Sequence, residues 1–181
     1  MTSLVHLLEA HRPFTQREAA MLAGTLAFVR ADPAHLDAGN PPGHITGSAW
    51  VLDESRSLVI LTHHRKLGRW FQLGGHLDPG ESVAEGALRE AREESGLTEV
   101  RLIDQAIFDV DVHPIPARGA QPEHLHYDIR FLCETPHVEP RPTAESRAVA
   151  WVRLVEVAAL NPDESMTRMV EKTLLRWRRA R

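Results

Sequence analysis

An α/β layered domain is the fold class this sequence predicts, and three observations predict it. Apolar or alternating runs near 44–52, 57–63, 105–113, 124–133 and 147–153 have the length and period of strands. A sharply bounded helix at about 82–95 interrupts them, and an amphipathic helix at about 163–179 closes the chain. Strands that alternate with helices bury their apolar faces by packing in layers.

The elements can be justified in order. Thr15-Gln16-Arg17-Glu18 has the form of a capping box and opens a helix at about 16–31 whose apolar residues are Ala19, Leu22, Ala23, Leu26 and Val29. Asp32-Pro33 ends it. Gly39 to Gly43, with Pro41-Pro42, reads as a linker, which divides the chain into a helical extension over 1–40 and a main domain over 41–181. In the central helix, Ser82 is the N-cap, Glu85 completes a second capping box and Gly96 suits the left-handed stop. Ala84, Leu88, Ala91 and Ser95 share its packing side, while Glu90, Glu93 and Glu94 fall within about 100° of one another on the far side. The closing helix has the stripe Met166, Met169, Val170, Thr173, Leu174 and Trp177.

Composition narrows the class. The length of 181 residues suits one domain with a proper core. Cys133 is the sole cysteine, which excludes an internal disulfide framework and fits a reducing cytoplasm; in its apolar run it reads as a buried, inert thiol. No signal peptide and no stretch of about 18 apolar residues is readable, so no membrane partner is expected. A formal charge of −4 argues against binding a nucleic-acid polymer, and the terminal Arg176, Arg178, Arg179 and Arg181 read as complements to a helix end.

The central helix carries the chemistry. Three carboxylates crowd its last turn and a half, at the negative end of the macrodipole, and Glu90 and Glu94 repel as like charges at i,i+4. A solvated face laced by Glu85–Arg89 and Arg89–Glu93 pairs is the ordinary outcome for such a run. The entry loop favours another reading: Gly74 and Gly75 let backbone come close to whatever the glutamates bind, and hard oxygen ligands describe a Mg²⁺ or Mn²⁺ site.

From Gly75 through Glu81, Arg89, Glu90, Ala91, Glu93, Glu94 and Gly96 to Leu97, the spacing meets every specified position of the Nudix box. The chain thus resembles the Nudix hydrolase family, although Gln72-Leu73-Gly74-Gly75 lacks the proline many members have before the double glycine. More loosely, GHITGSAW, THHRKLGRW, IFDVDVHPIPAR and HLHYDIRFL are similar to a widespread bacterial branch of it. The resemblance implies an α/β/α sandwich around a mixed sheet. It also implies Glu90 and Glu94, with Glu93 and the Gly74 carbonyl, as ligands of Mg²⁺ or Mn²⁺. Arg89 would orient the carboxylates and Glu81 support the site. For the general base, Glu93 is the economical choice, with Glu123, Asp111 and Glu145 as alternatives.

Two further groups are candidate substrate contacts. Asp111 and His113 alternate with apolar residues on one strand, and His124, His126 and Asp128 on the next, so each polar set shares a face. One wet sheet face is the ordinary explanation, but repeated His and Asp suit phosphate contact, metal ligation or proton transfer better than a plain surface. No closely spaced Cys/His quartet marks a zinc site. Before the box, Arg65, Lys66 and Arg69 can meet a polyphosphate and Trp70 can stack on a base. His76 and His44 are weaker candidates.

The expected activity is Mg²⁺-dependent hydrolysis of a phosphoanhydride in a nucleoside diphosphate linked to another group, the partner being a small nucleotide-type molecule. A ligand-binding or regulatory module on the same fold and an isoprenoid diphosphate isomerase are the alternatives. The apolar helices at the two ends offer surfaces for a homodimer or for packing on their own domain.

Overall fold

Every residue of Gly43–Asp53 (β1) is buried, which is the condition of a central strand covered on both faces. In a computed structural model of the chain, which describes residues 3–65, 68–117, 119, 122–141 and 146–178, that strand organises the molecule. β1 runs parallel to His124–Thr135 (β6) in an eleven-pair register from Gly43↔Leu125 to Asp53↔Thr135. Its other side pairs antiparallel with Leu58–His64 (β2) and with the short Leu73–Gly75 (β4). Trp70–Phe71 (β3) and Ser146–Arg153 (β7) pair with β2, and Arg101–Ile115 (β5) pairs antiparallel with β6. One parallel pair among antiparallel ones makes the sheet mixed, as expected.

Helices lie on both faces. Leu4–Ala10 (α1), Gln16–Ala31 (α2) and Val83–Ser95 (α3) contribute to one core, with Leu8, Leu22 and Ala87 packed among Ile45, Val51 and Phe131. Val157–Leu160 (α4) and Glu164–Arg178 (α5) cover the other face, where Met166 and Met169 meet Trp50, Leu61 and Leu132. α1 and α2 also close an edge. The buried Glu18 carboxylate accepts from the Val110 backbone of β5, and His11 Nδ1 lies 3.0 Å from the Ile107 carbonyl. No described helix is long and apolar enough to cross a membrane.

Several local expectations change. The Thr15 side chain accepts from the Glu18 N–H at 3.1 Å, but the Glu18 carboxylate turns to Phe14 N, His11 and Lys172, so the box is only half formed. The buried stripe of α2 is Glu18, Leu22, Thr25 and Val29, with Ala23 outside. In α5 the buried face includes Arg168 and Thr173, while Leu174 is exposed. A long charged side chain packs there because acidic residues wait beneath it. β3 and β4, read as loop from sequence, are too short for any periodic signal.

Candidate active site

α3 begins and ends where its residue types dictate. Ser82 and Glu85 form the reciprocal capping box, and Gly96 takes φ 67° at the stop. Val83, Ala87, Ala91 and Ser95 face the core, together with Gly86. This side also meets the chain at and after β4: Gly86 lies against Leu77, and Glu90 against Gly75.

Arg89 is the hub. Its guanidinium donates to Glu81 twice, at 2.9 and 3.1 Å, and to the His76 carbonyl at 2.8 Å. The Nη1 nitrogen reaches both Glu90 and Glu93 at 3.0 Å, and Asp78 lies 3.4 Å away. Hydrogen bonding from Arg89 holds the Glu81 carboxyl below its ordinary range, and Glu81, followed by Glu90 and Glu93, raises the guanidinium in return. Glu93 is the outermost, with its side chain 61% exposed against 19% for Glu90.

The double glycine is explained by close approach. A Cβ on Gly75 would lie 2.6 Å from the Glu90 carboxyl carbon, so the carboxylate occupies the space that a side chain would need. Gly74 has φ 150° and its missing Cβ would strike Ser48 of β1, while its N–H donates to Glu94 at 2.9 Å. Glu90 and Glu94 are therefore drawn against the β4 backbone, with Glu93 on the outer side of Arg89. Glu90 and Glu94, set against the Gly74–Gly75 backbone, offer the hard oxygen atoms that suit a divalent cation such as Mg²⁺.

The other expected contacts separate into three groups. Arg65 is exposed, Arg69 is bound to Asp163 at 3.0–3.1 Å, and half-buried Trp70 accepts from Asn161 through its carbonyl; Lys66 lies outside the described residues. Asp111 and Asp128, expected on an open polar face, are buried instead. Asp128 accepts from Thr46, Ser48, Gln72 and Arg130, and Asp111 meets Arg130, Arg168 and His113. Burial raises the Asp111 carboxyl, but His113, Arg130 and Arg168 outweigh that and hold it well below the usual range. α5 is what covers this face: Arg168 and Lys172 descend from it onto Asp109. Of the alternative bases, Glu123 is exposed just before β6 and Glu145 lies outside the described residues.

Third, the histidines gather. His44 and His126 are register partners across β1 and β6, and His113 is the partner of His126 across β5 and β6. His76 comes in from the end of β4, its ring 5.0 Å from that of His44. Burial, then the neighbouring histidines, lowers His44 to about 4 and His126 to about 3. Nothing local to His44 announces which strand it will face, so its place in the cluster is not legible in the sequence.

Comparison with known proteins agrees with this architecture. The profile of the NUDIX domain matches residues 43–173. The bis(5'-nucleosyl)-tetraphosphatase [asymmetrical] of Rattus norvegicus is 31% identical over 110 residues, covering 60% of this chain and 71% of that protein. Among solved structures, a C. elegans Ap4A hydrolase binary complex superposes with TM-score 0.58 at 16% identity, over 71% of this chain and 93% of that one. The E. coli dihydroneopterin triphosphate pyrophosphohydrolase gives TM-score 0.59 at 18% identity, over 73% and 95%.

Proposed function

This chain belongs to the NUDIX family, and from that premise we propose that it is a divalent-cation-dependent pyrophosphohydrolase that cleaves a phosphoanhydride bond in a nucleoside diphosphate or polyphosphate joined to a second group. The observation that carries this reading is the acidic set of α3 held by Arg89 against the Gly74–Gly75 backbone. A diphosphate bridge repels an attacking water by its own charge, so its hydrolysis needs positive charge close to the bridge.

Glu90 and Glu94, with the Gly74 carbonyl, hold Mg²⁺ or Mn²⁺ in this scheme. Bound there, the cation screens the diphosphate and acidifies a water. Arg89 acts as a positioning residue, fixing Glu90 and Glu93 relative to each other, and Glu81 locks Arg89 by two hydrogen bonds. Glu93, on the same guanidinium and open to solvent, receives the proton of the attacking water. Asp111 is a poorer base, because its cationic neighbours favour the deprotonated form too strongly. In this reading the exposed Arg65 and the half-buried Trp70 contact the remainder of the nucleotide.

The curated relative points to a bis(5'-nucleosyl) tetraphosphate as the first substrate to try. The isomerase alternative loses ground, since Cys133 is fully buried and burial pushes its thiol up to about 12. We also read the helices before residue 41 as an addition to a catalytic domain over 41–181, and place the enzyme in the cytoplasm on its lone, shielded thiol.

The test is hydrolysis of bis(5'-adenosyl) tetraphosphate, ADP-ribose and nucleotide sugars with Mg²⁺ or Mn²⁺, with chromatographic detection of the products. Glu94→Gln is expected to lower kcat/KM by at least about 100-fold with the fold intact. A fully active Glu94→Gln protein overturns the ligand assignment. Tight nucleotide binding without turnover in either metal would turn the reading toward a binding module.

A further inference from the structure

We infer that His44, His124 and His126 form a binding site for a borderline transition-metal cation such as Zn²⁺, separate from the glutamates of α3. One ligand atom from each of the three lies within 4.8 Å of the others. Their rings stand 4.6 Å (His44–His126), 5.2 Å (His44–His124) and 5.3 Å (His124–His126) apart.

Three features favour a cation over a merely packed cluster. First, His44 is 0% exposed and neither ring nitrogen has a hydrogen-bond partner among the described residues, and Nε2 of the 5% exposed His124 has none either. Buried polar atoms are nearly always satisfied, so three in one cluster call for a ligand. Second, His124 Nδ1 sits 2.9 Å from the Pro122 carbonyl. A carbonyl can only accept, so Nδ1 carries the proton and the lone pair of Nε2 points away from it. Backbone carbonyls orient metal-binding histidines in this way. Third, imidazole nitrogen suits Zn²⁺, Cu²⁺ or Ni²⁺, whereas Mg²⁺ and Ca²⁺ take oxygen. The two sites thus differ in ion class as well as in place.

The backbone explains why three ligands can converge without a sequence motif. His44 and His126 face each other across parallel strands, and His124 lies two positions before His126 on the same face. An ion held by them ties the beginnings of β1 and β6 together. Three protein ligands leave a fourth position. His76 and His113 border it, with rings 5.3 and 5.6 Å from that of His126, and Asp111 lies 3.3 Å from Nδ1 of His113.

The test uses full-length protein with any affinity tag removed, stripped by a chelator and titrated with Co²⁺ and then with competing Zn²⁺. One equivalent is expected to produce the visible ligand-field bands of a low-coordinate histidine site, and Zn²⁺ to displace it and raise the thermal midpoint. His126→Gln should weaken binding by at least about tenfold, while Glu90→Gln and Glu94→Gln leave the bands unchanged. Absence of the bands in the wild type overturns the inference, and so does their survival in folded His126→Gln or their loss in Glu94→Gln. If His126→Gln fails to fold, His124→Gln carries the same expectation, and the wild-type stoichiometry is decisive by itself.

Discussion

Glu18, Asp109, Asp111 and Asp128 lie in the interior beside Arg130, Arg168 and Lys172, whereas Asp78, Glu81, Glu90 and Glu93 share Arg89 at the surface of α3. The interior set is nearly balanced, four acids against three bases, and its members are cross-linked. Asp109, fully buried, receives two hydrogen bonds from Arg168, one from Lys172 and one from Arg130. The α3 set is lopsided, with four carboxylates around one guanidinium. A matched ion lattice holds elements together; a mismatched one at the surface invites a cation. Acidic residues alone therefore say little about function. Their charge balance says more.

Breaking the buried lattice should give the largest loss of stability. Arg168→Met removes the Asp109 and Asp111 contacts and leaves buried carboxylates short of a partner, at a cost of about 3–5 kcal/mol in chemical denaturation. Any loss of activity should follow the loss of folded protein. A lattice whose removal costs nothing would erase the contrast with α3.

Acid should act on the same lattice through Glu18. Burial raises its carboxyl, but hydrogen bonds from His11 and Lys172 prevail and bring it from 4.5 down to about 2 in the folded chain. A depressed carboxylate contributes stability that is complete above its unfolded pKa and is lost as pH falls through the folded one. The window is accordingly pH 4.5 to about 2, and the loss across it is on the order of 3 kcal/mol. Glu18→Gln should flatten that part of the pH–stability curve.

On α3 the smaller effects are catalytic. Gly75→Ala drives a Cβ into the Glu90 carboxylate and is expected to cost about tenfold in kcat through misplacement of the acid, with a thermal midpoint only slightly lower. Smallest is Arg69→Ala, which opens an exposed pair with Asp163 worth about 0–1 kcal/mol. A rise in KM at constant stability would assign Arg69 to substrate binding.

Much of this contrast could be read before folding, but unequally. The α3 site lies within one helix and its entry loop, so fixed spacing brings Glu81, Arg89, Glu90 and Glu94 into one neighbourhood whatever the remaining chain does. Even there, the division of labour was hidden: Glu93 turns outward on Arg89, and Gly75 makes room for a side chain where the sequence suggested room for a carbonyl. The alternating strands were readable as strands, but not the fate of their polar faces. α5 covers part of that surface with Arg168 and Lys172, residues that a search for an apolar stripe passes over.

Local order is what this sequence determines by itself: helix caps, strand periods and the acidic helix, each set by neighbours within a turn or two. Tertiary structure alone decided that Thr46 would donate to Asp128 across 82 positions, and that His44 would meet His126. The reason is register. A parallel pair such as β1 and β6 has no short connection to fix its alignment, so the partners of each polar side chain are settled only when both faces of the sheet are buried.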